Sequence, residues 1–175
     1  MKRGIDSRWL VLASIVVAAL PSAFSCDPVH NEAVAAIGSD PSGEPNGPRH
    51  RAGQPCVTCH GGDGPGKSNF LVAGTVYQDD KADARAVGVV VRLTDSNGDV
   101  MDVAPSNDVG NFYLSTGEWS PVFPIAVTFM KGGGVAAPVM TSHMGRQGSC
   151  ADCHFGTTDA VNSLAQLYMK KSKPR

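Results

Sequence analysis

The sequence predicts a mainly β protein, in which a small antiparallel β-sandwich separates two Cys-x-x-Cys-His motifs and a short helix follows the second motif. Residues 69–141 contain short runs of alternating apolar and polar residues, with turn sequences between them. The motifs lie on either side of this segment, at residues 56–60 and 150–154. Apolar residues at helical spacing then follow the second motif, and Thr158 is a suitable N-cap for that helix.

The alternation predicts which side chains of each strand are buried. Four runs supply the inward-facing residues, which are Phe70, Val72 and Val76; Val89, Val91 and Leu93; Phe112 and Leu114; and Ile125, Val127 and Phe129. Residues 135–141 form a further edge strand, because Pro138 cannot donate a ladder hydrogen bond. About six short strands with turns between them are typical of a small sandwich.

Two turns connect these strands. Ser96–Asp99 contains Asn-Gly, which tolerates the positive φ angles of tight hairpins, and Gly132–Gly134 predicts another turn. Asp95, Asn97 and Asp99 also resemble the beginning of a calcium loop. The remaining positions of such a loop are absent, so the turn interpretation is favoured.

Residues 1–25 have the organisation of a secretory signal peptide. Basic residues precede the apolar run Trp9–Leu20, Pro21 ends that run, and small residues stand before Cys26. A helix needs about 20 apolar residues to span a bilayer, and this run is shorter. We therefore expect an exported protein, either periplasmic or associated with the outer membrane.

Cys26 would become the first residue after cleavage and is a candidate site of lipid attachment. Phe24 is bulky for a lipoprotein signal, so cleavage without lipid is the alternative. Residues 26–55 are predicted to be an N-terminal tether and haem loop, because their second half is rich in Gly and Pro. Lipid at Cys26 would anchor the protein to a membrane.

The charge pattern excludes one class of partner. The formal net charge is −1, and removal of the signal peptide makes the chain slightly more acidic. No basic stripe or aromatic platform suited to nucleic acid is present.

Cys56, Cys59 and His60, and again Cys150, Cys153 and His154, form the attachment signature of c-type haem. Each cysteine forms a thioether with a haem vinyl group, and the histidine is the proximal iron ligand. Zinc or disulfides are the alternatives, but zinc-ribbon pairs are about 15–20 residues apart, far closer than Cys59 and Cys150. The two haem segments are predicted at 56–68, including a Gly-rich loop, and at 142–175, including the C-terminal helix.

A second axial ligand decides whether each iron carries electrons or binds substrate. His50 and His143 precede the first and second motifs at similar offsets and are the leading candidates, whereas His30 and Met140 are weaker ones. An iron with an open sixth position would instead indicate a haem enzyme or a small-ligand sensor.

The chain resembles the small exported dihaem c-type cytochromes of bacteria, which are lipoprotein-like and have a β-rich segment between two such motifs. The resemblance is carried by "HRAGQPCVTCHGG", "VAGTVY", "GNFYL" and "SHMGRQGSCADCH". The segment between the motifs also resembles carboxypeptidase-regulatory-like and transthyretin-like sandwiches, a likeness that concerns fold alone.

This resemblance implies two covalent haems and one-electron transfer to redox partner proteins. We therefore expect an electron carrier rather than an enzyme, since no acid–base pair or nucleophile stands beside the motifs. The alternatives are the open-iron enzyme or sensor and a structural subunit of an electron conduit. An even number of strands would return the chain to its starting end, so we expect the two motifs to be neighbours.

Overall fold

The computed structural model of the protein describes residues 28–79, 81, 84–135, 140–155 and 167–170. The signal peptide and Cys26 lie outside these ranges. The described elements are two α-helices, Pro28–Ala36 (α1) and Cys56–His60 (α2), a 3-10 helix at Cys150–Asp152, and the strands Phe70–Thr75 (β1), Tyr77–Asp79 (β2), Val90–Thr94 (β3), Val100–Asp102 (β4), Asn111–Ser115 (β5), Ala126–Lys131 (β6), Gly134–Val135 (β7) and Tyr168–Lys170 (β8). Within these ranges, no helix has the length and hydropathy needed to cross a membrane.

The strands of the described ranges form three sheets. The largest is antiparallel, with the order β4-β3-β6-β7. β1 pairs with β5 in an antiparallel ladder, and β2 pairs with β8 in parallel. The prediction of a mainly β chain with antiparallel sheets is therefore confirmed.

The buried faces of the strands are the predicted ones, except at Phe70. This residue is only partly buried and stacks on the exposed Tyr113, because the register of β1 with β5 shifts between Phe70 and Val72. Val89, Val91 and Leu93 are fully buried, and Ile125 is also fully buried. Phe112, Leu114, Val127 and Phe129 join the same hydrophobic cluster, whereas Tyr113 points outward. Each fully buried aliphatic side chain of this size contributes about 1.5–3 kcal/mol to stability.

The first predicted strand is divided at Val76. On one side of this residue β1 pairs with β5, and on the other β2 pairs with β8. The Val76 amide donates to the carbonyl of Gly110, and its carbonyl accepts from the amide of Ala86. The chain changes hydrogen-bonding partners here, which single-strand periodicity does not reveal.

The Asp95 side chain organises the turn between β3 and β4. Its Oδ1 atom accepts from the amides of Asn97 and Asp99, and its Oδ2 atom accepts from the amide of Val122. Gly98 has a φ of 87°, but Asn97 does not have a positive φ. The predicted turn is present, but it is a three-residue loop in which only the glycine adopts the left-handed conformation.

The second turn follows β6 as predicted. Gly132 and Gly133 have φ angles of 60° and 84°, and Lys131 pairs with Gly134 across them. A two-residue turn with both φ angles positive fits the twist of a hairpin. The edge strand β7 is short, and residues 136–139 lie outside the described part of the chain.

The predicted C-terminal helix is wrong at its end. Tyr168 belongs to β8, where it pairs with Tyr77, and the amide of Tyr77 donates to the carbonyl of Leu167 at 2.7 Å. Met169 is buried in the core. Tertiary pairing therefore prevails over helical spacing at this position, and residues 156–166 lie outside the described ranges.

Within the predicted tether and haem loop, residues 38–55 are hydrogen-bonded to one another and to β5. The Arg51 amide donates to Asp40 Oδ2 at 2.8 Å, and the Asn111 side chain donates to the carbonyls of Pro48 and His50. Asn107 Nδ2 also donates to the Pro48 carbonyl at 2.7 Å. These contacts fix the loop that leads into the first motif.

Candidate cofactor-binding site

The first motif forms the single helical turn α2. Cys56, Cys59 and His60 occupy positions i, i+3 and i+4, which lie on one side of a helix. Pro55 precedes the turn and Gly61 ends it. The local structure therefore directs two sulfur atoms and one imidazole to the same side, which is the arrangement that haem attachment requires.

The residues after α2 hold the His60 imidazole in place. Its Nδ1 atom lies 2.8 Å from the carbonyl oxygen of Ser68. In the tautomer with the proton on Nδ1, this is a hydrogen bond that leaves the Nε2 lone pair available to a metal. The ring also stacks on Phe70, with 4.4 Å between ring centroids, and Phe70 stacks on Tyr113 at 4.6 Å.

The Gly-rich loop after the first motif contacts the motif closely. A Cβ atom on Gly66 would lie 2.4 Å from Nδ1 of His60 and 2.7 Å from the Cys59 carbonyl oxygen. The Gly66 amide donates to that carbonyl at 2.8 Å. Only glycine allows this approach, and the sequence signal was the cluster of glycines itself.

The second motif begins as the 3-10 helix. The amides of Cys153 and His154 both donate to the Cys150 carbonyl, at 3.3 and 2.9 Å. Cys150 lies directly over Gly74 of β1, where a Cβ atom would come within 2.9 Å of Cys150 Cβ and 3.2 Å of its sulfur. The missing side chain of Gly74 therefore makes room for the second motif.

β1 brings the two motifs together. One edge of β1 pairs with β5, and the Ala73 amide on the other edge donates to Gly148, just before the second motif. The Thr75 hydroxyl accepts from the Gly53 amide, just before the first motif, at 2.8 Å. Gly53 also lines a small cavity together with Cys150 and His154. The motifs are thus spatial neighbours although the whole β segment separates them in sequence.

The thiols at this junction are held in their neutral form. Burial raises the pKa of Cys56 to about 11, and Asp152 of the second motif adds to this rise. Burial raises the pKa of Cys150 to about 12, with a larger further contribution from Cys56 than from Cys153. Reactive thiols have lowered pKa values, so this environment disfavours thiol–disulfide catalysis.

His50 lies next to the proximal ligand of the first motif. Its ring centroid is 5.9 Å from that of His60, with 54° between the ring planes. Its Nδ1 atom contacts both the amide and the carbonyl oxygen of Gly47, so the backbone of Gly47 holds the ring in place. Two imidazoles on opposite sides of one metal ion, with bonds of about 2 Å, have ring centres about 6 Å apart.

The other candidate ligands differ in burial. His30 lies on α1, which packs against α2, and its Nε2 atom is buried. The His143 side chain is exposed. Next to it, Met144 is buried and pairs with Ile125, and Met140 packs partly buried against the core.

The remaining cysteines of the motifs are more accessible. Cys59 is partly buried and Cys153 is exposed. Among the described residues, no group of three or more His, Cys, Asp or Glu side chains is gathered as a metal ion would need.

The comparisons with known proteins found no family model, curated protein or solved structure that matches this chain.

Proposed function

We propose that the protein is an exported dihaem c-type cytochrome that transfers electrons one at a time. His60 and His154 are the proximal ligands, and Cys56, Cys59, Cys150 and Cys153 form the thioethers. Each bound haem supplies an iron that is oxidised and reduced by one electron. The chain's own residues attach and orient the two groups and keep them side by side.

The juxtaposition of the two motifs on β1 carries this proposal. A chain that only needed two disulfides would have no reason to add a histidine to each pair or to fix His60 through Ser68. The hydrogen bond to Nδ1 and the stacking on Phe70 are the supports that a metal-ligating histidine requires. Neighbouring haems would also allow an electron to pass between them.

We infer that His50 is the distal ligand of the first haem. The separation of 5.9 Å between the His50 and His60 rings matches the spacing of two axial imidazoles. The second haem has no assigned distal ligand, because His30 lies on α1, which packs against the first motif, and the His143 side chain is exposed. Two axial nitrogen ligands make electron transfer, rather than substrate binding, the function of the iron.

The sheets support a sandwich as the scaffold of this site. Residues of β3 and β6 share one hydrophobic cluster with residues of β1 and β5, so the two antiparallel sheets have a common core. We propose that lipid at Cys26 anchors this sandwich to a membrane outside the cytoplasm. Redox partner proteins would then exchange electrons with the haems.

Mass spectrometry and a reduced-minus-oxidised spectrum of the exported protein test the proposed function. The protein is produced in a host that attaches c-type haem. We expect a mature mass that contains two haems, low-spin spectra, and a lipid on Cys26. The Cys56→Ser/Cys59→Ser variant should lose one haem, as should Cys150→Ser/Cys153→Ser. A mature chain without haem, or with one stoichiometric zinc ion, would contradict the proposal.

A further inference from the structure

Arg85 has a buried donor that the described fold does not use. Its Nη1 atom is buried and makes no hydrogen bond in the described part of the chain. The ion pairs among the described residues are made by Arg49 and Arg92, not by Arg85. Burying part of a guanidinium without an acceptor costs free energy, so such a group indicates a missing partner.

The surroundings of Arg85 place this donor beside the second motif. Its guanidinium lies over the Tyr77 ring, 4.3 Å from the ring centroid. Its Nη1 atom is 3.7 Å from the position of a Cβ atom on Gly53. Gly53 and Tyr77 line the same cavity as Cys150 and His154. The donor therefore lies at the border of the cavity that adjoins the second attachment site.

We propose that Arg85 binds a carboxylate, and that this carboxylate is a propionate of the haem attached at Cys150 and Cys153; the assignment rests on the proposed function. Haem carries two propionate carboxylates, and a guanidinium presents a planar fork of N–H donors that suits a carboxylate. The Arg85 guanidinium makes a cation–π contact with the face of the Tyr77 ring. Because Gly53 has no side chain, the space next to Nη1 is open on that side.

Redox titration of the dihaem protein tests this assignment. Arg85→Gln removes a positive charge near one haem. This stabilises the oxidised form of that haem relative to its reduced form, so its midpoint potential should fall. Arg92→Gln is the matched control, because Arg92 already pairs with Asp102 at 2.7 Å on the surface. The control should leave both potentials unchanged. Equal potentials in the wild type and in Arg85→Gln, with two haems present, would overturn the assignment but not the dihaem proposal.

Infrared difference spectra on reduction provide a second measurement. Arg85→Lys keeps the charge but loses the planar fork, so a propionate carboxylate band should shift while the potential changes little. A free anion is distinguished by titrating the wild type with acetate. If acetate moves the potential in the wild type and not in Arg85→Gln, Arg85 binds an external carboxylate and the propionate assignment fails. A chain without haem would contradict both proposals.

Discussion

At the scale of single residues, the surroundings of the first motif fix the orientation of the His60 imidazole. The Ser68 carbonyl fixes Nδ1 of His60, and Phe70 covers one face of the ring. The Nδ1 atom of His50 contacts the amide and the carbonyl oxygen of Gly47. Both histidines thus have a backbone partner at Nδ1, and in the proposed cytochrome their Nε2 atoms would bind the iron.

Replacement of His50 should therefore change one haem. In His50→Ala, we expect the first haem to become high-spin and to bind carbon monoxide once reduced, because its sixth position is open. Loss of the distal ligand also changes that haem's midpoint potential. Electron paramagnetic resonance and carbon monoxide difference spectra measure both effects.

His143→Ala is the matched control, because His143 is the other upstream loop histidine and its side chain is exposed. This variant should keep both haems low-spin. A low-spin pair in His50→Ala together with a high-spin haem in His143→Ala would reverse the ligand assignment.

At the scale of elements, the β3–β4 hairpin depends on a single carboxylate. Hydrogen bonds from the amides of Val122, Asp99 and Asn97 lower the pKa of Asp95. Because the folded pKa is below the unfolded value of about 3.9, the carboxylate stabilises the fold above that value. The stabilisation is lost as the pH falls through the lowered pKa.

Asp95→Asn should lower the urea midpoint at pH 7. The asparagine oxygen can keep the bonds to Asn97 and Asp99, but its NH₂ group would face the amide of Val122. The difference between wild type and variant should shrink at about pH 3, where protonation begins to remove the advantage of the carboxylate. Asp108→Asn is the control, since Asp108 makes only an exposed ion pair with Arg49, worth about 0–1 kcal/mol. A difference that stays constant from pH 7 to pH 3 would contradict this account.

The strands were predictable because local alternation determines which side chains face the core. Val91 and Leu93 are examples, where period-two patterning and burial agree. β1 was not fully predictable, because Val72, Ala73, Gly74 and Thr75 are all buried. The segments that precede the two motifs cover the edge and the face of β1 that β5 leaves open. These four residues therefore do not alternate between buried and exposed, and the sequence pattern cannot show it. Tyr168 was misassigned for the same reason, since its strand partner lies far away in sequence.

Part of the candidate site could be predicted from the sequence and part could not. The motif cysteines and histidines were recognisable because the chemistry fixes their spacing. The positions of His50 and His30 relative to the motifs depend on how the loop and α1 pack, which the sequence does not encode locally. Arg85 carried no sequence signal, since only its buried, unpartnered Nη1 atom distinguishes it from a surface arginine.

At the scale of the whole molecule, β1 is a common platform for the two motifs. The Ala73 amide, on the edge of β1 opposite β5, donates to the Gly148 carbonyl. The Gly53 amide donates to the hydroxyl of Thr75. A charge on one haem should therefore act on the other, because Coulomb interactions strengthen at short distance and in a poorly solvated site. The two haems would then take up electrons one at a time, at potentials that depend on each other's oxidation state.

Comparison with single-haem variants should reveal this interaction. We expect the visible circular dichroism of the wild type to differ from the sum of Cys56→Ser/Cys59→Ser and Cys150→Ser/Cys153→Ser, because neighbouring chromophores interact. Each remaining haem should also be reduced at a lower potential than in the wild type. In the wild type, an oxidised neighbour adds positive charge, which favours the reduction of the first haem, and the single-haem variants lack that neighbour.

Gly74→Ala tests whether β1 sets the distance between the haems. The added Cβ atom would meet Cys150 Cβ at 2.9 Å and Phe112 at 3.1 Å, so the second motif must move away from β1. We expect two haems by mass spectrometry but a weaker exciton signal. Gly145→Ala is the control, because a Cβ atom there meets nothing within 4 Å. An unchanged exciton signal in Gly74→Ala would show that the spacing of the haems does not depend on the contact between Cys150 and β1.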